Sequence, residues 1–336
     1  MRVLTACAAL LACLLVPAAA QTGAEIALRT NTDAENVTDG AFVPARAGFT
    51  ATVQDLEVPY ERFFALALPG EVVEFEVQAR PDSPAFAFDA GSIEEVIEGP
   101  QSLAFEAPAT PGPYPVTITS PEGETMTVTV FVLVPASQVE DGELEGYRIG
   151  AYPDTPLRGL DSYLPPEGFI RMPPELHDYE ISPHFRLGQF VTKQGGSEPV
   201  KFLLVRPELV LKLEQLLAYV NEQGIRADSF YVMSGYRTPY YNEAIGNVEY
   251  SRHQWGDAAD IYVDRAPQDQ NMDDIDGDGQ VLRKDAGRLY DLAEDVDNLT
   301  ELRRYRGGVG EYGATSAHGP FVHVDTRGTP ARWGRN

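Results

Sequence analysis

Histidine occurs only five times in this chain of 336 residues, and two of the five stand in stretches whose composition suits a metal. In SRHQWGDAADIYV, Ser251 to Val263, His253 and Asp260 flank a glycine turn at Gly256. In FVHVD, Phe321 to Asp325, His323 sits in an alternating apolar run. Two imidazoles and one carboxylate make a three-ligand set that leaves a position open for water, as a hydrolytic zinc requires. Strand alternation puts Asp260 and Tyr262 on one face and Ile261 and Val263 on the other. It likewise puts Phe321, His323 and Asp325 together, with Val322 and Val324 packed behind. Each strand can then bury apolar groups while presenting a ligand.

A second metal signal lies between these stretches. DIDGDGQVLRKD, Asp274 to Asp285, reproduces the calcium loop of an EF-hand. Asp274, Asp276 and Asp278 occupy loop positions one, three and five, Gly279 position six, and Gln280 offers its backbone carbonyl at seven. Asp285 holds position twelve, where its side chain has less reach than the usual glutamate. Leu282, Ala286, Leu289, Ala293 and Val296 then recur at helical spacing, so a helix should leave the loop. The expected ion is a structural Ca2+ holding an insertion beside the zinc ligands.

The elements that must position these residues are legible in the second half of the chain. RPELVLKLEQLLAYVNEQG, Arg206 to Gly224, puts Leu209, Leu213, Leu216, Leu217 and Val220 on one helical face, with Pro207 near its start and Gly224 past its end. SFYVMSGYRTPYYN, Ser229 to Asn242, reads as a short buried strand, a turn at Gly235, and a helix opening after Thr238 and Pro239. This mixture predicts an α+β domain over 169–336.

The first half reads differently. From Thr22 to Ser137, short apolar or alternating runs such as Phe63–Leu68, Val72–Ala79, Tyr114–Ser120 and Thr125–Val134 are separated by turn signals. The pattern predicts an all-β sandwich of immunoglobulin-like size over 22–137. In VVEFEV, Val73, Phe75 and Val77 should face inward and Glu74 and Glu76 outward. The domain has four arginines (Arg29, Arg46, Arg62, Arg80), no lysine and a large acidic excess, which suits a solvated surface or a docking module whose partner is unnamed. Residues 138–168 contain Pro and Gly and read as a linker.

The N-terminus MRVLTACAALLACLLVPAAA has one basic residue, a short apolar run and small residues before Gln21, the pattern of a signal peptide over 1–20. A membrane anchor and a lipid attachment at Cys13 are weaker readings, since the run is short for a span and stays apolar after Cys13. Export to the periplasm or the exterior is therefore expected. Both cysteines, Cys7 and Cys13, lie in that segment, so core packing and bound metal must replace disulfides in the mature chain. No later segment is apolar for long enough to span a membrane as a helix. A net charge of -25 argues against nucleic acid, whose phosphates need clustered Lys and Arg.

Taken in order, SGYRTPYYN (Ser234 to Asn242), S-x-H-x-x-G-x-A-x-D (Ser251 to Asp260) and FVHVD resemble the zinc D-Ala-D-Ala metallopeptidases. That family includes D-Ala-D-Ala carboxypeptidases, VanX-like dipeptidases and murein endopeptidases, and the resemblance runs from Ile181 to Trp333. GGVGEY (Gly307 to Tyr312) and TRGTPARW (Thr326 to Trp333) look most similar to the periplasmic murein-endopeptidase branch. The resemblance implies a D-Ala-D-Ala peptidase or hedgehog type of fold, and peptidoglycan peptides as substrate. It implies His253, Asp260 and His323 as Zn2+ ligands, with Ser251 and Arg237 contacting substrate and Arg237 opposing the developing oxyanion. A VanX-like glutamate would fall at Pro320, which cannot serve. His318, five residues before His323, matches a histidine of other members and is a candidate base; Asp325 is the rival, as base or as a brace for an imidazole. A carboxypeptidase or dipeptidase, and a non-catalytic zinc-containing cell-wall binding protein, are the competing functions.

Overall fold

The computed structural model describes residues 42–80, 83–93, 96–299 and 302–335. The expected signal peptide, both cysteines and Arg29 lie outside them. The described part of the N-terminal half is all strand: β1 (Arg46–Val53), β2 (Leu56–Tyr60), β3 (Arg62–Ala67), β4 (Val72–Val77), β5 (Ala87–Asp89), β6 (Val96–Glu98), β7 (Ser102–Glu106), β8 (Gly112–Thr119) and β9 (Thr125–Val132). One antiparallel sheet runs β2–β1–β4–β7–β6, and a second runs β3–β9–β8–β5, in which β3 and β9 are parallel. Alternation decides which face each strand buries: in β4, Val73, Phe75 and Val77 are buried while Glu74 and Glu76 face water. Buried side chains of both sheets, such as Phe63, Phe75, Phe105 and Phe131, belong to one apolar core.

The chain then crosses to the second half through a small three-stranded sheet. β10 (Val134–Pro135) pairs with β13 (Gly168–Met172), which pairs in turn with β14 (Lys201–Leu203). Between β10 and β13, the strands β11 (Glu143–Leu144) and β12 (Tyr147–Arg148) form a short hairpin. Residues 138–168, where a linker was expected, bury Leu144, Tyr147, Ile149 and Tyr163. Tyr152 Oη donates to the carbonyl of Gln254 at 2.8 Å, and Trp255 Nε1 donates to the Leu164 carbonyl at 2.9 Å. The segment therefore braces the turn that carries His253.

The C-terminal half contains α1 (Pro207–Glu222), β15 (Tyr231–Ser234), α2 (Pro239–Ala244), β16 (Ala258–Tyr262), α3 (Arg283–Asp297), β17 (Gly308–Tyr312), β18 (Phe321–Asp325) and β19 (Ala331–Trp333). The sheet order is β15–β16–β18–β17–β19, antiparallel except where β19 joins β17. α1 forms where its apolar face predicts, with Leu209, Leu213, Leu216, Leu217 and Val220 fully buried, and ends at Gly224, whose φ of 81° suits a residue without Cβ. α3 packs across β17 and β18 and against α1. β16 and β18 are buried throughout.

The two halves meet along α1 and the segment before it. Arg62 pairs with Glu180, Arg46 reaches Gln215 at 3.3 Å, and Thr129 Oγ1 and Tyr179 Oη lie 2.8 Å apart. The His184 ring stacks on Phe42 and sets its two nitrogens against Glu214 (2.7 Å) and the Val43 carbonyl (3.1 Å).

Under the site, a buried charge cluster ties three elements together. Lys212 Nζ contacts Asp297 Oδ1 at 2.6 Å and the Asp325 carbonyl at 2.9 Å, while Arg332 holds the other Asp297 oxygen at 2.7 Å. Burial pulls the Lys212 ammonium below its usual range, against the attraction of Asp297. Asp297→Ala would leave that ammonium without its carboxylate, and breaking such a pair costs about 3–5 kcal/mol. Urea unfolding should show a loss of that order.

Candidate metal centre and active site

Three ligand atoms converge from three places in the chain. Asp260 on β16 lies directly opposite His323 on β18 in the antiparallel register, so two of them are cross-strand neighbours. His253 comes from a short turn, Arg252–Trp255, that closes at Gly256 with φ 70°. A Cβ at Gly256 would lie 2.5 Å from the Leu204 carbonyl oxygen, so the turn tolerates only glycine there. His253 Nε2 lies 3.2 Å from Asp260 Oδ1 and 3.2 Å from His323 Nδ1, and His323 Nδ1 lies 2.9 Å from Asp260 Oδ1. All three residues are buried.

That triangle fits one zinc ion. Bonds of about 2.0–2.1 Å in tetrahedral geometry space neighbouring ligand atoms by about 3.3 Å, close to the edges seen here. The histidine tautomers are also set for it. His253 Nδ1 donates to the Gly235 carbonyl at 2.7 Å, and His323 Nε2 donates to Asp325 Oδ2 at 3.1 Å, leaving Nε2 and Nδ1, respectively, to face the site.

Asp325 is on the far side of the His323 ring from the ligand atoms, with no exposed surface. Its Oδ1 accepts from the Gly308 amide at 2.7 Å and its Oδ2 from Arg327 Nη2 at 2.5 Å. With both oxygens committed, it braces the imidazole. Burial would raise the Asp325 carboxyl, but His323 and Arg327 hold it well below the usual range. Asp260 behaves alike, the two imidazoles overriding its burial. Desolvation is the largest influence on both histidines. It prevails at His253, whose pKa is lowered, whereas at His323 the bonds to Asp260 and Asp325 raise the pKa to about 9.

Arg237 stands against the triad. Its Nη2 donates to Asp260 Oδ2 at 2.7 Å and its Nε to Ser234 Oγ at 2.8 Å, so Asp260 offers one oxygen to the metal position and the other to the guanidinium. Ser234, the residue that holds Arg237 at its other end, was visible in SGYR but nothing in the motif assigned it that task. Ser251 opens the His253 turn, its amide bonded to the Val248 carbonyl. Trp333 from β19 lies with its ring centroid 5.1 Å from that of His323. His318 is not among the converging ligands. It borders a cavity of about 220 Å³ that Tyr262, two residues along the strand from Asp260, also lines. Its Nδ1 donates to the Gly319 carbonyl at 2.8 Å, which leaves Nε2 with a free lone pair.

The aspartate loop forms a second cluster. Asp274, Asp276 and Asp278 bring carboxylate oxygens within reach of one ion. Asp274 accepts the amides of Gly277 (2.7 Å) and Gly279 (2.6 Å), and Lys284 pairs with Asp278. Asp285 does not join that cluster. It is buried at the start of α3, and its oxygens accept the amides of Ile275 (2.9 Å) and Leu282 (2.8 Å). Gln280 donates its amide to Asp278 at 3.0 Å.

A buried triangle of two histidines and one aspartate with an arginine beside it has the donor set of a hydrolytic zinc site. The family description Peptidase M15 matches residues 189–275, a span that contains Arg237, Ser251, His253 and Asp260 and ends before His323. Over that span, which is less than half of the chain, the C-terminal domain is similar to this peptidase family. No curated protein matches the chain significantly.

Because zinc must displace a proton from His323, its apparent affinity should rise with pH up to about 9 and level off above it. Competition titrations with a chromogenic chelator across that range check the sign. Asp325→Ala should weaken zinc binding about 10–100-fold, as removing such a brace does elsewhere.

Proposed function

We propose that the protein is a zinc peptidase that hydrolyses peptide bonds in peptidoglycan stem peptides or crosslinks, as a murein endopeptidase. The observation that carries this reading is the triangle of His253 Nε2, Asp260 Oδ1 and His323 Nδ1 with Arg237 fastened to the other Asp260 oxygen. Zinc supplies Lewis-acid polarisation of a carbonyl and activation of water near neutral pH. Arg237 is held in place by Ser234 and Asp260 before any substrate arrives, so its free N–H groups can meet the charge that develops on an amide oxygen without reorganising. His318 is the proton carrier in this scheme: with Nδ1 bonded to the Gly319 carbonyl, its Nε2 is the nitrogen that takes a proton and returns it to the leaving amine. Asp325 keeps His323 in the correct tautomer. The signal-like N-terminus supports an exported protein acting where peptidoglycan lies. The size and strand order of the N-terminal sheets support an immunoglobulin-like sandwich that holds or positions the enzyme.

Purified sacculi and defined muropeptides test this directly. Zinc-loaded protein should release peptide products, chelator should stop it, and His253→Ala should be inactive. Cleavage that survives chelator, or full activity in His253→Ala, would overturn the zinc reading. His318→Ala should lower kcat about 100-fold or more with KM little changed, since general acid–base catalysis is worth about that much.

The aspartate loop is proposed as a structural Ca2+ site, supported by the convergence of Asp274, Asp276 and Asp278 ahead of α3. Calcium should then raise Tm, and Asp274→Ala should abolish the rise; an unchanged Tm in wild-type protein would contradict it.

A further inference from the structure

The face of the sheet that carries the zinc ligands does not stop at them. Beyond Asp260, Tyr262 on β16 stacks on its register partner Tyr231 on β15, with ring centroids 4.9 Å apart. These two rings line the cavity of about 220 Å³ that His318 borders. The opposite wall is a loop held in one shape: Asp264 accepts the amides of Asp269 and Gln270 at 3.1 and 3.0 Å, and Tyr262 Oη donates to the Gln270 carbonyl at 2.7 Å. Gln270 sits at φ 64°, and its Oε1 accepts from Tyr231, which leaves its side-chain amide nitrogen to donate. Asn271 lies beside it in the lining.

Lys193 borders the same cavity, its Nζ 6.0 Å from the Tyr231 ring centroid. It is one of only four lysines in a chain with 51 acidic residues. Lys212 and Lys284 are each matched to aspartates, whereas Lys193, like Lys201 on β14, has no ion pair among the described residues, and of these two only Lys193 borders the cavity. The cavity lining contains no acid at all. In a chain of net charge -25, a cation set in an acid-free cavity on the sheet that carries Asp260 is a built feature. Partial desolvation lowers the ammonium while Asp260 raises it and Arg237 lowers it, so the three groups feel one another.

We propose that this cavity is a substrate subsite for a free carboxylate of the peptide, with Lys193 as the residue that selects it. The proposal rests on the peptidase reading above. The tyrosine pair supplies a flat apolar wall for the stem of the bound residue, and Lys193 with the Gln270 amide supplies donors for its carboxylate. Tyr262 of its lining stands two residues along β16 from Asp260, so the residue the subsite holds is one near the scissile bond. The carboxylate is either that of a side chain or the peptide's C-terminus.

Isothermal titration of the zinc-free protein reads the subsite without catalysis. The probes are a muropeptide tetrapeptide and two forms of it, amidated at the side-chain carboxylate or at the C-terminal carboxylate. One amidated form should bind about tenfold more weakly than the parent, the loss expected for one charge-assisted contact, and which form does so identifies the source. Lys193→Gln should show the same loss for the parent and no longer distinguish the forms; Lys193→Arg should keep the preference. Equal binding of all three peptides to wild-type protein, absence of binding by the parent, or a preference retained in Lys193→Gln would overturn the proposal. A preference that depends on Lys193, in protein whose zinc-loaded form cleaves no peptide, would leave the subsite standing and remove the peptidase reading.

Discussion

Asp260 is a buried carboxylate with its two oxygens given to different partners: Oδ1 to the two imidazoles and Oδ2 to Arg237. A charge taken out of water in this way survives only where opposite charges or a metal replace the lost hydration. Around it the structure supplies an arginine, two histidines and the geometry for an ion. Everything nearby can be read as holding those compensating groups still. Gly235 and Ser234 fix His253 and Arg237 from the end of β15, Asp325 fixes His323 from below, and Arg327 with the Gly308 amide fixes Asp325.

The supports extend well beyond the site. The Lys212–Asp297–Arg332 cluster joins α1, α3 and β19, and Lys212 also reaches the carbonyl of Asp325, so the helix layer is hydrogen-bonded to the strand that ends the ligand network. On the other side, residues 138–168 meet the His253 turn through Tyr152, Leu164 and Ser162. The N-terminal sheets lean on α1 through Arg46 and Gln215. The candidate metal site is thus braced by elements drawn from across the described chain.

Much of this was legible in the sequence because it is local. Alternation in AADIYV and FVHVD, the apolar stripe of α1 and the glycine after His253 each follow from a few consecutive residues. What was not legible depends on distance along the chain. Lys212 and Asp297 are 85 residues apart, and nothing near either names the other. Residues 138–168 look like a linker because Pro and Gly set their local geometry, while Tyr152 and Leu164 find partners some 90 or 100 residues away. Asp325 shares a strand face with His323, which left open whether it would take protons; only its bonds to Arg327 and Gly308 show both oxygens occupied. Asp285 sits at the correct loop position for a calcium ligand, yet the start of α3 draws its oxygens onto backbone amides. Lys193 carried no motif, and its setting emerges only once β15, β16 and the 264–273 loop are folded around one cavity.

The central claim is that His253, Asp260 and His323 hold one zinc through Nε2, a carboxylate oxygen and Nδ1. X-ray absorption at the zinc edge of protein reconstituted with one equivalent measures that shell directly. The account predicts two imidazole nitrogens and light oxygen donors at about 2.0–2.1 Å, with one imidazole lost in His323→Ala. A shell without imidazole scattering, or one unchanged in His323→Ala, would contradict it.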